Sequence, residues 1–249
     1  MLSQLANIWR VHDLRNKLLF VVAMVAVYRL GVFVRVPGVD PIAIEQLRES
    51  AGQQGALGFL NLFSGGAFES FSIFALGIMP YITASIIMQV LGVVIPKLEE
   101  LQQEGAVGQR KITQYTRYVT IGLATLQSTG LVFIFGTGRG TAFFSAARAA
   151  PTVPLLPDGV WPRGYLIIPT LVAGTAVLMW MAELISQRGI GNGMSMIIFA
   201  SVVASLPGGF WSILQLNKVF WFVAMILLTI GIIISVVYVE LGQRRIPVQ

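Results

Sequence analysis

The sequence predicts an all-α, polytopic membrane helix bundle with six transmembrane helices, and three observations point there. Hydrophobic residues make up 55% of the chain and charged residues only 11%, far below the quarter usual in soluble domains, with a mean hydropathy of +0.77. Residues 70–96 run without a single charge, longer than the roughly 20 apolar residues that cross a bilayer. That run is entered through a shorter apolar piece, residues 59–69, containing Gly65-Gly66, and is itself broken by Pro80. A broken entry of this kind marks a pathway, because irregular backbone at membrane depth is tolerated only where protein or a cavity surrounds it.

Taken in order, the expected spans are residues 18–34, 71–95, 118–135, 164–182, 190–206 and 219–239. The first is the weakest by hydropathy, because Arg29 costs roughly 2.5–3.5 kcal/mol at a helix centre. Its place near one end lets it snorkel to the headgroups, so the span is retained. Residues 1–17 hold Arg10, Asp13, Arg15 and Lys17, and no small-residue cleavage signal follows the apolar run, which argues against a removable signal peptide. Leu2, Leu5, Ile8 and Trp9 share a helical face there, predicting a cytoplasmic interfacial helix over 1–17. The domain reading is therefore 1–17 at the interface, 18–206 as a five-helix half, and 207–249 as a sixth helix with the start of a loop. Residues 136–163, with Gly136, Gly138, Gly140 and several prolines, read as irregular.

Orientation follows from Lys and Arg in the loops. Arg10, Arg15, Lys17, Lys97, Arg110, Lys111, Arg117, Arg188, Arg244 and Arg245 fall on one side, against Arg35, Arg48, Arg139, Arg148, Arg163 and Lys218 on the other. Both termini are thereby placed in the cytoplasm, where the net charge of +6 suits anionic lipid.

Enzymatic readings fare poorly. There is no cysteine and one histidine, His12, so a zinc centre of the usual kind is implausible. The glycines at 136–140 and 189–193 lack the spacing of a dinucleotide fingerprint and the lysine of a phosphate loop, and read as turns at helix ends. Glu183 and Arg188, five apart, either pair or face water as anchors. No span carries an acidic residue at midplane, as an ion-coupled transporter needs, or a base for an intramembrane protease. What remains are apolar residues at telling intervals. Ile78 and Ile82 are four apart around Pro80, and Met194 and Ile198 repeat the spacing after the 189–193 glycines, so each pair shares a helix face. Lipid or packing contact is the plain reading; the sharper one is a ring that constricts a pore and blocks ions by dewetting.

Longer motifs carry a resemblance. Asn61-Leu62-Phe63-Ser64-Gly65-Gly66, followed by Ser72-Ile73-Phe74-Ala75-Leu76-Gly77-Ile78-Met79-Pro80-Tyr81-Ile82, resembles the plug and second transmembrane segment of the SecY family, the central subunits of the bacterial protein-conducting channel. Lys111-Ile112-Thr113-Gln114-Tyr115-Thr116-Arg117-Tyr118, Arg188-Gly189-Ile190-Gly191-Asn192-Gly193-Met194-Ser195 and Gln243-Arg244-Arg245-Ile246-Pro247-Val248-Gln249 are similar to the same family in the same order.

The resemblance implies a plug half-helix over about 59–72, with Leu60, Asn61, Leu62, Phe63, Ser64, Gly65, Gly66 and Ala67 at its centre and a membrane-crossing half from Ile73 onward. It implies a pore ring to which this chain contributes Ile78, Ile82, Met194 and Ile198, with methionine where the family usually has isoleucine. Gln89 and Gln127 fall near the lateral gate, either biasing its opening or making ordinary interhelical hydrogen bonds. The implied activity is passage of unfolded secretory polypeptides across, and of membrane segments laterally into, the bacterial cytoplasmic membrane, without cofactor or metal. The implied partners are SecE and SecG subunits, the SecA motor or a translating ribosome, signal sequences, and lipid. Family members have two five-helix halves, and this chain stops after the sixth span, so a truncated or split channel lacking its C-terminal half is expected. A solute or ion transporter and a non-transporting scaffold are the alternatives.

Overall fold

The computed structural model describes residues 11–40, 44, 61, 63–136, 163–215 and 219–242. Among these residues seven helices follow one another: α1 His12–Val32, α2 Met79–Val94, α3 Pro96–Gln103, α4 Ala106–Gly136, α5 Gly164–Arg188, α6 Gly193–Gln215 and α7 Val219–Glu240. The chain divides into two units, 1–204 and 205–249.

In the first unit, α1 is uninterrupted from His12, with Asp13 in its first turn and Arg29 in its last, both on the side of the helix dipole that favours them. Residues 12–17 therefore belong to the first span's helix and not to a separate interfacial one; an Asp13–Lys17 ion pair of 2.9 Å one turn apart supports the extension. The rest of the expected interfacial helix, residues 1–10, lies outside the described residues.

The second span differs most from expectation. The helix begins at Met79, not at residue 71 or 73. Asn61, Phe63 and Ser64 are helical, and the chain from 65 to 78 is a succession of turns, so no half-helix reaches residue 72. Gly65 takes φ +63° and the Gly66 N–H donates to the Asn61 carbonyl at 3.1 Å, which is how a left-handed glycine terminates a helix. Gly77 (φ +59°) and Phe71 (φ +46°) keep the later turns from becoming helical. Pro80 sits in the first turn of α2, where its missing N–H costs nothing, so it starts the helix and does not kink a longer one. The turns are stitched to the end of α1 by an antiparallel bridge between Arg35 and Ser72, through Val36 N–H to Phe71 O and Ile73 N–H to Val34 O, each 3.0 Å.

At the other end of α2, Ile95 is extended (φ −101°, ψ 112°) as a residue before proline must be. The chain then bends by 100° into α3, which is polar and buries nothing. Thr113, Thr116, Thr120, Thr125 and Thr129 along α4 return their hydroxyls to carbonyls one turn back, which satisfies them without a partner helix. Helix α5 is central, packing against α4, α1 and α2 and burying Ile167, Leu171, Leu178, Met181 and Ile185. Among the described residues two helices are long and apolar enough to cross a membrane alone, α5 and residues Val223–Glu240 of α7. The α2–α3 pair passes only together, and α6 supplies a shorter apolar helix, Gly193–Pro207. The second unit contains α7, apolar along its length.

Candidate functional site

The starts of α2 and α6 are each fixed by a local device. Ile78 is the residue before α2, and Ile82 N–H reaches back to its carbonyl at 3.1 Å. The start of α6 is set by the glycine segment: Gly191 has φ +72°, Asn192 Oδ1 accepts the Met194 N–H at 3.0 Å as an N-cap, and Ser186 Oγ of α5 accepts the Gly193 N–H at 2.8 Å. A side chain at Gly193 would strike the Ala182 carbonyl, so glycine permits this close approach of α6 to α5. The turn reading of these glycines holds.

Ile78, only 3% exposed, belongs to an apolar cluster with Ala67, Phe74, Leu178 and Ile197, and Ile82, Met194 and Ile198 pack against that cluster, partly buried. All four residues singled out by spacing thus belong to or border one extended apolar cluster. The turn 64–67 closes it: Ser64 (2% exposed) and Ala67 (0%) are buried. Leu60 and Leu62 lie outside the described residues. Asn61 binds Glu69 twice, Nδ2 to Oε2 at 2.5 Å and Oδ1 from the Glu69 N–H at 3.2 Å, which folds the turn on itself.

Polar groups hold this turn from outside. Tyr28 Oη donates to Ser64 O at 2.9 Å and lies 2.7 Å from Ser201 Oγ of α6; Arg29 Nη1 donates to Gly65 O at 2.6 Å. Arg29, half-buried, thus spends a donor on this turn while its guanidinium carbon lies 5.6 Å from the Phe33 ring centroid. A cavity of about 300 Å³ borders the same turn, lined by Arg29, Arg35, Gly65, Gly66 and Glu69 among others. Sequence reasoning missed Tyr28 and Ser201 altogether. The arginine within a span was the available signal, since such residues are functional by default.

Of the two amides, Gln127 is half-buried on α4 and Gln89 is exposed on α2. Glu183 of α5, 9% exposed, pairs not with Arg188 but with Arg117 of α4: Nε to Oε1 at 2.8 Å, and Nη2 to Oε2. A fork of two parallel bonds is the geometry a guanidinium favours with a carboxylate. Those hydrogen bonds raise the Arg117 pKa further above its ordinary value, so the guanidinium remains charged.

Comparison with known proteins agrees with the motifs. The SecY family model matches residues 72–249. The chain is 47% identical to the protein translocase subunit SecY of Streptomyces galbus over its whole length, covering 57% of that relative. It is 45% identical to the subunit of the same name from Micrococcus luteus, covering 56%. The chain thus spans somewhat over half the length of the curated relatives it matches. Among solved structures it resembles one titled "The structure of a protein conducting channel" (TM-score 0.54, 21% identity, 94% of this chain and 49% of that one). A second likeness is to Sec61 in a canine ribosome-channel complex from the endoplasmic reticulum (TM-score 0.53, 22% identity, 94% and 49%). The chain belongs to the SecY family.

Proposed function

We propose that this chain forms one wall of a protein-conducting channel, passing unfolded secretory polypeptides across the bacterial cytoplasmic membrane and releasing hydrophobic segments sideways into lipid. The observation that carries the reading is that Ile78, Ile82, Met194 and Ile198 all belong to or pack against one apolar cluster that also contains the buried Ala67. Apolar side chains from two helices at one depth make a constriction that water leaves and ions do not cross. Isoleucine and methionine fill it without binding what passes. In this reading α1, α2, α4, α5, α6 and α7 are the six spans, both termini are cytoplasmic, and residues 60–67 are the plug. The exposed face of α2 carrying Gln89 and the half-buried Gln127 of α4 border the lateral gate.

The energy comes from partners, a SecA motor or a translating ribosome, with SecE and SecG subunits and the C-terminal half of the channel completing the wall. The names of the relatives, translocase subunits, support a place as one subunit of a larger assembly. The test is site-specific crosslinking from position 82 to a stalled secretory chain in the full-length protein. An adduct is expected; none at full occupancy of the channel would refute the reading, and saturable uptake of a small molecule would favour a transporter instead.

A further inference from the structure

Resting on that channel reading, we infer that Tyr28, Arg29 and Ser201 form a polar latch that holds the plug turn seated, with Arg29 supplying its strength and the Tyr28–Ser201 pair able to reclose without the plug. The turn is pressed between two helices. A Cβ at Gly65 would lie 3.0 Å from the Ser201 Cα and 3.3 Å from the Tyr28 hydroxyl, whereas one at the neighbouring Gly66 would meet nothing within 4 Å. The plug is thus gripped along one edge and borders free volume, the 300 Å³ cavity, along another.

The two halves of the grip differ in what happens when the plug leaves. Tyr28 and Ser201 bring two hydroxyl protons to a set of acceptors consisting of Ser64 O, Ile197 O and each other. With the plug seated, Tyr28 donates to Ser64 O. With it displaced, Tyr28 donates to Ser201 Oγ and Ser201 donates to Ile197 O at 2.9 Å, so both hydroxyls remain satisfied. This pair therefore recovers most of what it loses. Stacking of Tyr28 on Phe74 (centroids 5.8 Å, 22° between planes) keeps the ring in place throughout.

Among the described residues, no second acceptor takes over for Arg29 as Ser201 does for Tyr28. The described contacts of Arg29 are the Gly65 carbonyl and the Phe33 ring, whose centroid lies 5.6 Å from the guanidinium carbon. Removing the plug leaves a charge in a spanning helix without that carbonyl. A hydrogen bond to a charged group shifts an equilibrium by about tenfold to a hundredfold, and that is the bias Arg29 places on the seated plug. Gly65 O, at the end of a helical turn, is also where the partial negative charge of unsatisfied carbonyls collects.

The experiment uses the full-length protein reconstituted with its accessory subunits. This chain has no cysteine, so with any cysteine of the remaining half and the accessory subunits replaced, Ala67→Cys, at a fully buried position, reports plug displacement by its rate of labelling with a membrane-impermeant maleimide, read beside resting ion conductance. In that background Arg29→Met is expected to raise both by about tenfold or more. Arg29→Lys, which still presents a cation to Gly65 O, is expected to restore values within about threefold of the parent, a rescue that a merely structural loss would not show. Tyr28→Phe, which keeps the stacked ring, is expected to raise both readouts less than Arg29→Met does. Where Arg29→Met does not accumulate, Arg29→Gln, a donor without charge, is expected to fall between Lys and the parent's plug deletion. Conductance and labelling within about twofold of the parent for Arg29→Met or Arg29→Gln, while deletion of residues 60–67 leaks ions, overturns the latch alone. A deletion that does not leak overturns the channel reading beneath it.

Discussion

Replacing Arg117 with methionine strands Glu183, and the structure says by how much. Glu183 is 9% exposed and the Arg117 side chain 45% exposed, so the carboxylate has little water to fall back on and the guanidinium has a good deal. Each hydrogen bond between charged groups contributes about 1.5–3 kcal/mol, and two are made. Partial exposure of Arg117 screens the pair and reduces the total by about half, leaving a loss of about 2 kcal/mol for Arg117→Met, or about 30-fold in a folding equilibrium constant.

Glu183→Gln should cost less, about 1 kcal/mol, because a half-exposed arginine rehydrates whereas a buried carboxylate does not. The double variant should recover part of the loss, giving a coupling of about 1–2 kcal/mol. The assay is a double-mutant cycle on the full-length protein in mild detergent, with unfolding followed by denaturant titration. If Glu183→Gln is as harmful as Arg117→Met, or the two losses simply add, the burial asymmetry between the partners is not what sets the energy and the reasoning fails.

Three further substitutions test the packing and the pore. Gly174→Ala in α5 would set a methyl on the Ile73 carbonyl, so it should destabilise by about 1–3 kcal/mol through overpacking, seen as a lower thermal midpoint in detergent; an unchanged midpoint would mean α5 and the turns of 71–78 do not lie this close. Phe71→Gly relieves a left-handed backbone (φ +46°) worth about 1–3 kcal/mol but removes a ring only 2% exposed, worth about 3–5. Net destabilisation of about 2 kcal/mol is expected, and stabilisation would mean strain outweighs burial. In a planar bilayer, Ile82→Gly combined with deletion of residues 60–67 should conduct ions more than the deletion alone, because the constriction loses one of its apolar sides; equal conductance would remove Ile82 from the ring.

Much of the site was legible in advance because it is written in local patterns. The four-residue spacing of Ile78 with Ile82 and of Met194 with Ile198 implied shared helix faces, and the structure gathers both pairs about one cluster. The glycines at 189–193 announced a turn, and one is observed there. The local pattern misled where hydropathy outlasts the helix: residues 71–78 are as apolar as a span, yet their backbone follows Gly77, the positive φ of Phe71 and the bridge to Arg35. Partner choice was not legible either. Arg188 lies nearer in sequence to Glu183, but the helices pack so that Arg117, 66 positions away, reaches it first.

From composition and charge-free runs the chain alone determined a helical membrane protein, and its long motifs carried the resemblance to its family. These signals report what each segment's own backbone and surface tolerate. Only the tertiary structure decided that Arg29 reaches Gly65 O, that Tyr28 joins Ser64 to Ser201 across 173 positions, and that residues 65–71 are built of turns. The physical reason is that a buried polar group takes whichever partner the packing brings within about 3 Å, and that distance exists only once the helices have found one another.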